Sequence, residues 1–128
     1  MQGINGRFKV ALRRLSLGIE RKNPEDKLLD YMIGLETLYM PDGNAELSFR
    51  LSIRVAFLLS LSKDRKETFD FLRKMYTVRS HIVHGSEYDL NADDVKKLEE
   101  LLRESVILWI KNKTSFSANE LNKALFEV

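Results

Sequence analysis

The chain has no cysteine among its 128 residues, which removes disulfides, zinc-thiolate centres, iron-sulfur clusters and a thiol nucleophile from its repertoire. That absence fits a reducing cytoplasm, the expected location. Long apolar stretches are missing too. None exceeds the run Val55 to Leu59, far short of the ~20 residues of a membrane-crossing helix. The amino-terminal region also lacks the apolar core of a signal peptide, so no membrane association is expected. Proline is confined to Pro24 and Pro41, and no segment alternates apolar and polar residues over the length of a convincing strand. A glycine-rich phosphate loop, a G-x-S-x-G elbow and an H-E-x-x-H pair are all absent, and neither a metal site nor a cofactor is expected.

What is present reads as helices. Hydrophobic residues make up 44% of the sequence, enough for one core. A first helix is predicted from about Gly6 to Arg21, with Phe8, Ala11, Leu12, Leu15 and Ile19 on one stripe. Asn23 should cap a second, with Pro24 at its first position and Leu28, Met32, Leu35 and Tyr39 facing inward, ending near Pro41. After a turn at Asp42 to Asn44, a third helix from Ala45 to Leu61 is apolar around most of its circumference and is expected to be central. A fourth should start at Ser62, carry Phe69, Leu72, Met75, Tyr76, Ile82 and Val83, and end near Gly85. Asn91 with Asp94, and Ser117 with Glu120, have the spacing of amino-terminal caps for a fifth helix and a short sixth. The expected fold is all-α: one helical bundle of about five main helices plus a short C-terminal helix. It forms a single domain over residues 1–128, whether whole or excised from a longer protein.

Charge is nearly balanced, with 21 Lys and Arg against 19 Asp and Glu, so the total gives no nucleic-acid footprint. Its distribution is uneven. Arg7, Lys9, Arg13, Arg14, Arg21 and Lys22 face only Glu20 in the first 23 residues, which predicts a locally cationic end; a solvated helix face and a phosphate-contacting surface both fit.

Three charges fall on apolar arcs at about 100° per residue. Arg79 lies near the middle of the apolar half of the fourth helix, Glu36 between Met32 and Leu29 on the second, and Arg54 among Leu47, Leu51 and Leu58 on the third. An unpaired buried charge costs several kcal/mol, so these should pair with one another or border a cleft, Glu36 with Arg54 or Arg79 being the expected partnership. Glu36 and Arg54 are read as structural charge partners. For Arg79 a register-fixing salt bridge stands beside a role in chemistry.

Arg79 opens the string R-S-H-I-V-H-G, an arginine, four residues, then His84 at a helix end. It follows Tyr76 and is preceded by I-G-L-E-T-L-Y (Ile33 to Tyr39) and S-F-R-L-S-I-R-V-A-F-L-L (Ser48 to Leu59). Over about Leu15 to Gly85 the chain resembles the Apea-like subgroup of the HEPN superfamily, whose mark is the R-x4-H motif. The resemblance implies a bundle that forms a homodimer with the motif helices meeting across the two-fold axis. In catalytic members that cleft cuts RNA without metal; others bind nucleotides or RNA or only mediate association. It makes Arg79 and His84 the expected catalytic pair, with Ser80 as the polar residue after the arginine, where many nuclease members have Asn, Asp or His. His81, Arg73 and Lys74 are expected RNA contacts, and a cognate antitoxin or fused regulatory domain is an expected partner of a toxin or antiviral-defence nuclease.

The chemistry agrees with that expectation. Attack by an RNA 2′-hydroxyl needs a base, an acid and positive charge around the phosphorane-like transition state. A two-fold dimer supplies His84 twice, with two Arg79 guanidiniums for the phosphate. Residues five apart on a helix diverge by about 140°, so Arg79 and His84 should flank a groove with Ser80 between them.

Overall fold

The computed structural model describes residues 4–126, with side chains from residue 6 onward; residues 1–3 and 127–128 of the expected domain lie outside the described ones. Six α-helices follow one another: α1 (Ile4–Glu20), α2 (Pro24–Tyr39), α3 (Leu47–Leu58), α4 (Arg65–His84), α5 (Ala92–Lys111) and α6 (Ala118–Asn122), with 3-10 turns at Lys113–Phe116 and Lys123–Leu125. The fold is the expected all-α bundle. No helix among the described residues is long and apolar enough to cross a membrane.

Local chemistry sets most of the boundaries. The Asn23 side chain accepts from the Glu25 and Asp26 amides ahead of Pro24, Asn91 from Asp94, and Ser117 from Glu120, each satisfying an otherwise orphaned helix amide. The boundaries of α3 and the start of α4 differ from expectation. Helix α4 begins at Arg65 rather than Ser62 because Asp64, in extended conformation, accepts from the Glu67 amide, a charged acceptor at the positive end of the helix. Helix α3 begins at Leu47 rather than Ala45 because Glu46 has a left-handed backbone, φ 50°, and it stops at Leu58 where the chain turns toward α4.

Helices α1, α2 and α5 pack on one another, while α3 and α4 form a hairpin joined to them chiefly through α2. The central helix is therefore α2, which touches each of the other four main helices, and not α3 as its composition suggested. Leu28, Tyr31, Met32, Leu35, Leu38 and Tyr39 are all fully enclosed, whereas short α3 leaves Phe49 exposed. Along α1, Ala11 and Leu15 are buried but Leu12 and Ile19 are exposed. The inward line there is completed by buried Gly18, where a Cβ would lie 2.3 Å from the Tyr31 ring.

The segment after α5 folds back and fastens the bundle. Phe116 is fully buried, with its ring centroid 5.0 Å from that of Trp109 and 5.2 Å from that of Tyr39. Arg7 donates to the carbonyls of Thr37, Leu38 and Phe116, tying α1 to the end of α2 and to this segment. Arg54, 2% exposed, donates from Nη1 to Asp42 Oδ1 (2.8 Å) and the Tyr39 carbonyl (2.8 Å), and from Nη2 to Asp42 Oδ2 (3.0 Å) and Asn122 Oδ1 (2.8 Å). Burial costs the guanidinium its water, and these four acceptors replace it. In return Arg54 holds the Asp42 carboxyl well below the usual carboxylate range.

Candidate functional site at the end of helix α4

The R-x4-H string occupies the last turns of α4. Gly85 closes the helix with φ 73°, a left-handed conformation suited to glycine. The Ser86 amide donates to the His81 carbonyl (2.9 Å) and the Gly85 amide to the Ile82 carbonyl (3.4 Å), the two bonds of a Schellman closure. His84 is thereby fixed as the last helical residue, beside the negative end of the helix dipole, and is exposed.

Ser80 lies one turn before His84 and is also exposed. With Thr77 and Arg73, spaced four, three and four residues apart, they form one outward stripe on α4. Arg79 points elsewhere. Its guanidinium forms an ion pair with Glu36 of α2, the two side chains being 26% and 17% exposed. The same Glu36 oxygen accepts from the Tyr76 hydroxyl at 2.7 Å, and the Arg79 Cζ lies 5.9 Å from the centre of the Tyr76 ring. Burial, reinforced by the Glu36 charge, pushes the Tyr76 phenol far above its ordinary value, so it remains a donor to Glu36 throughout the physiological range. Glu36 thus positions Arg79 and balances its charge, and the arginine side chain is about a quarter exposed.

The expected partnership of the inward charges resolves into two separate sites. Glu36 belongs to Arg79; Arg54 is held by Asp42 and Asn122 at the far side of α3. The three expected RNA contacts also separate. Arg73 shares the outward stripe with Ser80 and His84 and rests over Phe49 and Phe69. Lys74 turns toward α5 and pairs with Asp94 at 3.3 Å, and His81, seven residues on, lies half-buried on that same side. Among the described residues, His81 and His84 gather no third acidic or imidazole group into a cluster suited to a metal ion.

Half of the expected cationic end is consumed within the fold. Arg14 and Arg21 both bind Asp30, each at 2.9 Å, and Arg7 is spent on backbone carbonyls. Asp30, 2% exposed, was not singled out by the sequence reading. The available signal was the spacing of Arg14 and Arg21, seven residues apart and so on one side of α1 and the residue that follows it. The Tyr76 hydroxyl, on a residue at core spacing, completes the Glu36 site.

No protein-family model, curated protein or solved structure matches the chain.

Proposed function

We propose that the chain is a metal-independent RNA endonuclease of toxin or antiviral-defence type, acting in the cytoplasm as a homodimer, with its site built from Arg79 and His84 of two subunits. The observation that carries this reading is the layout of the end of α4. An exposed histidine and an exposed serine share one face, and an arginine held by Glu36 stands about a third of a turn of the helix away. Each chain places one imidazole, that of His84, on this exposed face, whereas in-line attack by a 2′-hydroxyl calls for a base on one side of the phosphate and an acid on the other. A two-fold arrangement of α4 helices supplies both. In this reading His84 of one subunit accepts the 2′-hydroxyl proton and its symmetry mate donates to the leaving 5′-oxygen. The Arg79 guanidiniums stabilise charge on the non-bridging oxygens, and Ser80 offers a hydroxyl to the same phosphate. Arg73 contacts the backbone of the RNA along the outward stripe.

A second reading is favoured by one observation. The Glu36 carboxylate already neutralises Arg79, as suits a HEPN-like domain that binds nucleotide or RNA, or only dimerises, without cutting.

The test is to incubate the purified protein in EDTA with structured and single-stranded RNAs, beside Arg79→Ala and His84→Ala variants that melt like the wild type. Cleavage by wild type, reduced at least a hundredfold in both variants, is the expected result. Intact RNA with every substrate, together with expression that leaves host growth unslowed, overturns the nuclease in favour of the binding module.

A further inference from the structure

A concave feature where α2 and α5 begin is independent of the nuclease reading. Three lysines from three elements, Lys22 of the link between α1 and α2, Lys27 of α2 and Lys96 of α5, line one open cavity of about 410 Å³. Pro24, Ala92, Val95 and Glu99 complete its walls. The volume is that of a small-ligand site.

Charge within the cavity is unbalanced. Glu99 is the one carboxylate lining it among the described residues, and both of its oxygens are taken, Oε1 by the Tyr31 hydroxyl at 3.1 Å and Oε2 by Arg103 at 2.7 Å. Lys27 is held in place: its Nζ donates to the Gly18 and Ile19 carbonyls near the end of α1, at 2.9 and 3.1 Å, which leaves one of its three protons uncommitted. Among the described residues neither exposed Lys22 nor exposed Lys96 has a carboxylate partner. By contrast Arg14, Arg21, Lys63, Lys66 and Lys74 are all bridged to acids. Pro24 and Ala92 are the first residues of α2 and α5, but first-turn carboxylates offset those dipole ends without lining the cavity. The lysines therefore supply the attraction for an anion.

We propose that this cavity binds the phosphate group of a small ligand, one with at least two negative charges, of which a diphosphate is the simplest form. Three ammoniums brought from three elements to one concavity suit a compact polyanion. An RNA strand calls instead for cations spaced along a track and for aromatic faces on which bases stack, and no aromatic ring lines this cavity. A lysine acts as a point charge on a flexible stem, so Lys22 and Lys96 can close on the anion while Lys27 stays on its carbonyls. The apolar surface of Pro24, Ala92 and Val95 leaves room beside them for the organic part of the ligand.

The test titrates inorganic pyrophosphate into the full chain at low ionic strength by isothermal calorimetry. Two double variants that remove the same charge stand beside the wild type: Lys22→Gln with Lys96→Gln in the cavity, and Lys9→Gln with Arg13→Gln on the exposed side of α1. All four positions are exposed, so both variants should melt like the wild type. Saturable binding with a Kd of about 1 mM or tighter, weakened at least tenfold in the cavity variant and less than twofold in the other, is the expected result. A single-stranded RNA 12-mer with 2′-O-methyl groups, which attack by a 2′-hydroxyl cannot cut, should lose no affinity in the cavity variant. Because no cleavage is read, these outcomes do not depend on whether the protein is a nuclease. Absence of saturable pyrophosphate binding overturns the proposal. Equal weakening in the two double variants overturns it too, by reducing the effect to net charge, and a tenfold loss of RNA affinity in the cavity variant would make a strand the occupant instead.

Discussion

Tyr76 and Arg79, one turn apart on α4, converge on a single oxygen of Glu36 from α2, the tyrosine at 2.7 Å. This is the principal polar bond between the central helix and the helix that carries the R-x4-H string. Because both donors share one acceptor, neither contributes independently. Tyr76→Phe should cost about 1–2 kcal/mol. Glu36→Gln, which keeps the shape but loses the charge, should cost a similar amount. The double variant should be less destabilised than the sum of the two by at least about 0.5 kcal/mol. Urea unfolding of the four proteins measures it, and strict additivity would show that the shared contact is not formed.

Arg54 should be the most sensitive of the inward charges. Arg54→Met leaves Asn122 and the Tyr39 carbonyl without their donor and Asp42 with Arg50 as its remaining cation, and a loss of about 2–4 kcal/mol is expected. Arg54→Lys preserves the charge but cannot span both Asp42 oxygens and the other two acceptors from one nitrogen, so it should recover less than half of that loss. Thermal and urea unfolding decide between this network and a dispensable surface bridge, for which both losses would stay under about 1 kcal/mol.

The pH dependence follows from Asp42. Its folded-state pKa is depressed, first by the hydrogen bond from Arg54, below the unfolded value of about 3.9. The stability it contributes is therefore complete above the unfolded value and is lost as pH falls through the range between the two. Asp42→Asn should be less stable than wild type at pH 7, and the difference should shrink progressively below about pH 4. Circular dichroism melts of both proteins between pH 7 and 2 give the comparison, and a gap that stays constant to pH 2 would assign the acid sensitivity elsewhere.

Gly18→Ala offers a steric test. Alanine favours a helix by about 1 kcal/mol over glycine, but here its Cβ would meet three atoms of the Tyr31 ring at 2.3–2.9 Å. That ring is fully buried and its hydroxyl is bonded to Glu99. A net loss of about 1–3 kcal/mol is expected, measured by urea unfolding; a gain would mean that Tyr31 yields easily.

These residues also show what the sequence makes legible. Caps at Asn23, Asn91 and Ser117, and the close at Gly85, can be read because each depends on a few adjacent residues. The inward lean of Arg79, Glu36 and Arg54 is visible from helical periodicity. The pairing of Glu36 with Arg79 is one of the two that follow from it, but the partners of Arg54 are not visible, since Asp42 looks like an ordinary turn residue and Asn122 is 68 residues from Arg54. Likewise Asp30 sits in a helix where an acid is usually solvated, and only the approach of α1 shows that two arginines enclose it. The exposure of Leu12, Ile19 and Val83 has the same origin. Periodicity gives the direction of an apolar stripe, but the width that a neighbouring helix covers is a tertiary property. Within the candidate site, Arg79, Ser80 and His84 are visible from their string, while the Glu36–Tyr76 support depends on how α2 and α4 cross.

The clasp made by Arg7, Arg54 and the segment through Phe116 and Asn122 also bears on how the bundle is born. A chain emerging from the ribosome presents α1 to α5 in order, and helices of this kind form as they appear. Yet until residues 116–124 are released, Tyr39 and Trp109 lack the ring that covers them, Arg54 lacks one of its acceptors, and Arg7 lacks the Phe116 carbonyl 109 positions downstream. The nascent domain is thus held short of its final packing until this last stretch clears the exit tunnel, so that maturation of the fold coincides with delivery of its C-terminal turns.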